Sequence, residues 1–288
     1  MSALFGPAGN SLSFAQMGYK HSLQVPEYLK KFGLTAFEYQ CGRGVNIGLD
    51  KASAFGKAMK EAGISVSLHA PYYISMSSVE EEKRLNSINY ILSSARAVNA
   101  MGGNRIVVHT GSCGKITREH ALSLAVDTMK LAIKALDEEG LSNIRVCPET
   151  MGKINQLGDL NEVLTLCELD ERLLPCIDFG HLNARTFGSL KSFSDFEDIF
   201  NQIENRLGSS RVKEFHSHFS KIEYTSGGEK RHLTFEDMQF GPNFEPIMEI
   251  TAKKNCHPTF ICESDGTQAE DAKIMQNYYM ELINNENR

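Results

Sequence analysis

Short apolar runs alternate with amphipathic stretches along almost the whole chain. Runs at 34–39, 64–69, 105–109, 144–149, 173–178, 211–216 and 258–263 have the length and character of strands buried on both faces, and a weaker one lies at 3–5. Helical patterns fill the intervals, at about 25–32, 49–62, 117–139, 159–169, 243–252 and 268–283, several of them stopped by a glycine such as Gly33, Gly63 or Gly140. Ser78 with Glu81 and Ser194 with Glu197 have capping-box spacing and open two further helices, the first with Leu85, Ile88, Ile91, Leu92 and Ala95 on one face. A long polar loop is predicted from the seventh run to about Gly241.

Eight strand-helix units, spaced by roughly 30 to 45 residues without a Pro/Ser-rich linker, predict a single (β/α)8 TIM barrel spanning residues 1–288. In such barrels the active site gathers at the C-terminal ends of the strands. Here those ends carry His69, His109, Glu149, Asp178, His216 and Glu263, and His181 follows Asp178 across a Phe-Gly turn. A lone strand-end His or Glu is more often a solvated loop residue. Ends of six strands converging on one mouth instead suggest ligands for zinc or manganese.

Composition narrows the setting. With 288 residues, 41% of them hydrophobic, the chain can bury a full core. Seven cysteines without a Cys-x-x-Cys pair argue against a disulfide framework, no apolar run is long enough for a membrane span, and the start lacks a signal-peptide pattern. A cytoplasmic protein with no membrane contact and no evident protein partner is expected. The net charge of −6 excludes a broad cationic face but leaves room for a local basic rim around a metal cluster.

The segments His69-Ala-Pro-Tyr72, His109-Thr-Gly-Ser112, Pro148-Glu-Thr-Met-Gly152, Asp178-Phe-Gly-His181, His216 and Glu263-Ser resemble the endonuclease IV family of apurinic/apyrimidinic endonucleases, from about residue 35 onward. The resemblance implies a trinuclear zinc cluster. His69 and His109 would hold the first zinc, Glu149 would bridge it to the second, and Asp178, His216 and Glu263 would complete the second. His181 would belong to the third, whose remaining family ligands form an Asp-x-His pair after strand seven. This chain reads Glu229-Lys-Arg-His232 there: His232 fits, whereas Glu229 is displaced by one residue and longer than aspartate. Two or three Zn2+ ions are therefore expected, with Mn2+ as the alternative metal.

The implied activity is cleavage of duplex DNA 5′ to abasic or damaged sites, with Glu149 and Glu263 as catalytic carboxylates. Two zincs about 3.5 to 4 Å apart acidify a bridging water and clamp the phosphodiester oxygens, and a third would neutralise the leaving 3′-oxygen. Tyr72 and Tyr73 are placed to stack on or wedge beside a flipped nucleotide, and Lys115, Lys153, Arg185, Lys221, Lys230 and Arg231 are expected to form a basic rim. Two other classes compete. A metal-dependent sugar isomerase or epimerase of related barrel fold would use Glu149, Asp178, His216 and Glu263 alone, and a non-catalytic metal-binding protein would leave so many strand-end ligands unexplained. The additional His69, His109, His181 and His232 favour phosphoryl chemistry, because one ion cannot use eight protein ligands and still bind substrate.

Other signals fail on spacing. Gly111-Ser-Cys-Gly-Lys115 lacks both the glycine spacing and the Ser/Thr of a phosphate loop. His21, His120 and His257 lack strand-end context, and Cys113 has no partner at zinc spacing. His218 shares a strand face with His216 by period two and reads as a donor behind the ligands.

Overall fold

A computed structural model describes residues 2–286. Its strands, in chain order, are β1 (Leu4–Pro7), β2 (Ala36–Gln40), β3 (Ser65–His69), β4 (Arg105–Val108), β5 (Arg145–Pro148), β6 (Cys176–Asp178), β7 (His216–Phe219), β8 (Lys221–Thr225), β9 (Gly228–Leu233) and β10 (Thr259–Cys262). Eight of them are parallel and close a barrel. One arc runs β1-β10-β7-β6, the other β2-β3-β4-β5. Parallel bridges from Ala8 to Glu38 and from Glu149 to Cys176 join the arcs at their two seams. This is the (β/α)8 architecture expected from the alternation of runs.

The core has two compartments, as a barrel requires. Between strands and helices lies the main one, where aromatic side chains such as Phe5, Phe179, Phe200, Phe215 and Phe260 are wholly buried. Inside the barrel a separate plug of Val107, Cys147, Leu174 and Cys176, all buried, closes the bottom beneath the mouth. All seven cysteines are unpaired and buried. Among the described residues no helix is long and apolar enough to cross a membrane.

Three local expectations are corrected. Residues 211–214, read as part of strand seven, belong to the helix Ser209–Glu214, which starts after Gly208 at φ +86°, so the strand begins at His216 rather than ending there. The polar stretch after it is an antiparallel hairpin, β8 with β9. The capping boxes also shift. Ser78 accepts a hydrogen bond from the N–H of Glu80, the N-cap of the helix Glu81–Ala100, and the second box is formed by Ser192 with Asp195 rather than by Ser194 with Glu197.

The seam between β1 and β2 depends on Gly6. A Cβ there would meet the Ala36 carbonyl oxygen at 1.8 Å, against backbone that cannot retreat without opening the barrel. Gly6→Ala is therefore expected to lower stability by about 3 kcal/mol or more. Urea unfolding of the two proteins gives the difference, and equal midpoints would show that the seam is looser than its geometry implies.

Candidate metal centre

Glu149 lies at the middle of the mouth, 1% exposed. Its Oε2 is 3.3 Å from His69 Nε2 and 3.1 Å from His109 Nε2; its Oε1 is 3.1 Å from His218 Nδ1 and 3.4 Å from His181 Nδ1. The two carboxylate oxygens thus face different sets of partners, as a bridging ligand requires.

The backbone around β6 determines how its two ligands point. Asp178 is the N-cap of the helix Phe179–Arg185, and its Oδ1 accepts from His181 N–H at 2.7 Å. That leaves Oδ2 aimed at the cluster. Thr150 clamps the turn: its hydroxyl accepts from Asp178 N–H at 2.8 Å, and its carbonyl faces His181 Nδ1 at 2.9 Å. Because a carbonyl only accepts, His181 Nδ1 carries a hydrogen, and Nε2, 3.4 Å from Glu229 Oε2, is the nitrogen left to take a cation. His69 is fixed in the same way, its Nδ1 donating to the Ala70 carbonyl at 2.8 Å so that Nε2 faces Glu149.

His218, not His216, joins Glu149, Asp178 and Glu263. These four offer donor atoms within 4.8 Å of one another. The correction follows from register. His216 pairs with Thr259 at the start of β10, whereas His218 pairs with Ile261, two residues before Glu263. His216 consequently sits one layer down, fully buried, with Nε2 2.9 Å from Glu38 Oε2. Period-two alternation did indicate that the two histidines share a face. The strand's true starting point, set by the preceding helix, was the missing information. Glu38, also fully buried, was not recognised in the sequence at all, because nothing in a run such as Ala-Phe-Glu-Tyr-Gln marks its carboxylate as inward-facing.

Glu229 is not displaced from the site. The hairpin aligns Glu223 with Arg231 but Tyr224 with Glu229, so Lys230 is an extra residue on β9 and makes a β-bulge. In a regular strand Glu229 and His232, three apart, would face opposite sides. The bulge absorbs one residue and brings both to His181, within 4.8 Å. The hairpin reaches the barrel through two glycines: a Cβ on Gly152 would lie 2.6 Å from Glu229 Cβ, and one on Gly228 would lie 2.2 Å from the Gly152 carbonyl. Backbone hydrogen bonds from Glu229 N–H to Gly152 O and from Ile154 N–H to Gly227 O tie the hairpin to the loop after β5.

Electrostatics in the mouth are those of a negatively charged cluster held by imidazoles. Burial acts to raise the Glu149 pKa, but His218, His109 and His181 outweigh it and hold the carboxyl well below the ordinary range. Asp178 goes the other way: burial raises it, and the Glu263 and Glu149 charges add to the effect, together outweighing the opposing pull of His181, whose Nδ1 is 3.3 Å from Oδ2. Asp178 Oδ2 is buried without a hydrogen-bond partner. A cation is the group that such an oxygen lacks.

Spacing supports the same fit. Two donors bonded at about 2.0 to 2.1 Å to one tetrahedral zinc lie about 3.3 Å apart. The contacts of Glu149 with His69, His109 and His218 and of His181 Nε2 with Glu229 run from 3.1 to 3.4 Å. The nitrogen and oxygen donors of the three groups, His69–His109–Glu149, Glu149–Asp178–His218–Glu263 and His181–Glu229–His232, therefore fit zinc or manganese.

Around the centre is a cavity of about 320 Å³ bounded by Tyr72, Met151, Lys153 and Gln156, and beside it runs a groove of about 470 Å³ along Tyr72, Tyr73, Lys83, Asn86 and Tyr90. Tyr72 stacks on His109 with ring centroids 5.2 Å apart and is 56% exposed; Tyr73, also exposed, leans toward Tyr90. The expected basic rim is largely engaged elsewhere. Lys221 is buried and donates to the Phe235 and Asp237 carbonyls. Arg185 donates to the Met151 carbonyl and braces the loop after β5, and Lys230 and Arg231 both pair with Glu223. Lys115 and Lys153 remain exposed, together with Lys83 in the groove.

Comparison with known proteins agrees with this fold. The model of the xylose isomerase-like TIM barrel family matches residues 26–278. The chain belongs to that family. An uncharacterized protein of Methanocaldococcus jannaschii is 34% identical over 281 residues, covering 97% of each chain. A protein of Mycoplasma pneumoniae named "Probable endonuclease 4" is 29% identical over 192 residues, 65% of this chain and 63% of its own. Among solved structures, a D-tagatose 3-epimerase-like protein superposes with a TM-score of 0.72 at 16% identity, covering 99% of this chain and 100% of its own. Endonuclease IV from Thermus thermophilus superposes with 0.66 at 17%, covering 96% and 99%. At these identities the structural likeness is one of fold, which an endonuclease and an epimerase-like protein both share with this chain.

The register of β7 makes a direct prediction. His218→Ala should lose one bound metal per chain after loading with zinc and desalting, whereas His216→Gln should retain the wild-type count. Plasma emission spectrometry reads both, and the opposite pattern would restore His216 as the ligand.

Proposed function

We propose that this chain is a metal-dependent phosphodiesterase of the endonuclease IV type that cleaves duplex DNA at abasic sites. The observation that supports this reading is the third donor group. Nine residues in three groups share one mouth, with Glu149 common to two of the groups, and the His181–Glu229–His232 group has no use in a site built for a single ion. Bound divalent ions would supply a water acidic enough to attack near neutral pH and positive charge against the phosphodiester oxygens.

The chain's own residues divide the remaining work. Glu149 presents its two oxygens to separate histidine pairs, so that the two groups it joins are kept in register. Glu263, 15% exposed at its side chain, is the carboxylate of the second group that a substrate can reach. Tyr72, seated on His109, offers an aromatic face beside the centre for stacking against an exposed base or the gap left by a missing one. Lys115 and Lys153 carry uncommitted positive charge for flanking phosphates. The seven unpaired cysteines suit a reducing cytoplasm.

One observation favours a second reading, a sugar isomerase or epimerase. Four of the six rim cations are already engaged, which weakens the electrostatic case for DNA, and Glu149, Asp178, His218 and Glu263 alone suffice to hold one ion. Purification without chelators followed by metal counting separates the two. Two or three zincs per chain with nicking of an abasic duplex are expected, and one ion per chain with turnover of a ketose would replace the nuclease reading by the epimerase.

Glu149→Gln should keep the fold and reduce nicking by at least about 1,000-fold, since an amide cannot bridge two cations as a carboxylate does. Thermal melting and the nicking assay test it together, and undiminished cleavage would remove Glu149 from its central role. Graded chelation should release first the ion held by His181, Glu229 and His232, because two of these three residues lie on a hairpin rather than at barrel strand ends. His232→Ala should reproduce the partly depleted state, with one ion fewer and lower activity. Retention of every metal and full activity by His232→Ala would leave the hairpin as a substrate-contacting element only.

A further inference from the structure

We propose that Glu38 is a positioning residue for the metal centre, holding the His218 ring from below so that Nδ1 faces Glu149 and Glu263. Its carboxylate is fully buried inside the barrel, one layer beneath the cluster. Oε1 lies 2.9 Å from His218 Nε2 and accepts from Gln40 Nε2 at 3.2 Å. Oε2 lies 2.9 Å from His216 Nε2 and accepts from the Ser67 hydroxyl at 3.0 Å. Gln40, Ser67 and His216 hold the carboxylate by hydrogen bonds, and His218 Nε2 meets it as a close ion-pair contact without hydrogen-bond alignment.

The consequence for His218 is directional. A carboxylate beside Nε2 favours the hydrogen on that nitrogen and leaves the lone pair on Nδ1, which is 3.1 Å from Glu149 Oε1 and 3.5 Å from Glu263 Oε2. A ring flip would put carbon against Glu38 and turn Nδ1 away from the cluster. The 2.9 Å contact of Glu38 with His216, aligned as a hydrogen bond, is shorter than the 3.1 to 3.4 Å contacts between Glu149 and its histidines, so Glu38 is read as a partner of a ligand rather than a ligand itself. A buried charge is costly, and the apolar plug of Val107, Cys147, Leu174 and Cys176 shows what the barrel interior otherwise uses at this depth. Glu38 and His216 thus form a polar layer that meets the proposed ligands through His218.

This inference rests on the ligand role proposed for His218 and is independent of the substrate. The experiment is metal competition against a chromophoric chelator, with zinc alone as the probe, combined with 15N-correlated NMR of the histidine rings in zinc-loaded protein. Glu38→Gln should weaken the Asp178–His218–Glu263 ion by about 10- to 100-fold and convert His218 from a single Nε2–H tautomer to a mixture. A folded Glu38→Gln protein with wild-type zinc affinity and an unchanged tautomer would overturn the proposal. If that variant does not fold, the double variant Glu38→Leu/His216→Leu removes the charge with its partner, and the same two readings decide. Failure of His218→Ala to lose metal would instead strike the ligand role, so the two failures are distinguishable.

Discussion

Everything at the mouth of this barrel depends on keeping one carboxylate, Glu149, ionised in a place that water does not reach. Four imidazoles within 3.4 Å provide the compensation, and each comes from a different strand end or the first turn after one. Barrel closure therefore has an electrostatic role as well as a packing one. If the arcs did not meet at the bridges from Ala8 to Glu38 and from Glu149 to Cys176, the histidines from one arc would not face the carboxylates from the other.

Donors anchored to backbone make that arrangement selective. His69 and His181 each spend Nδ1 on a carbonyl, and Asp178 spends one oxygen capping its own helix. Each residue is left with one free donor atom, and the free atoms converge. The same economy appears on the polar rim, where Arg185 braces the loop after β5 and Lys221 fastens the segment after the hairpin. Positive charge here builds the walls of the cavity more than it lines them.

Much of this was legible in the sequence. Where an apolar run ended in His69, His109, Glu149, Asp178 or Glu263, the strand and its direction placed the side chain at the mouth. The seventh run failed because Arg211-Val-Lys-Glu-Phe alternates like a strand, while Gly208 and two serines start a short helix there that only tertiary packing makes worthwhile. His216 and His218 exchanged roles as a result. Glu38 and the engaged rim cations were illegible for another reason: their meaning lies in partners far away in sequence, such as His216 for Glu38 and Met151 for Arg185.

The bulge at Lys230 has a consequence for how metal sites are recognised. Faces of a strand alternate, so ligand pairs on a strand normally stand an even number of residues apart. One extra residue between Glu229 and His232, taken up by the hydrogen-bond ladder, lets an odd spacing work as an even one. The frame in which such a motif must be read is counted in rungs of the ladder and not in residues. Pattern searches written in residues alone will discard chains whose donors are brought together by a bulge, as Glu229 and His232 are here.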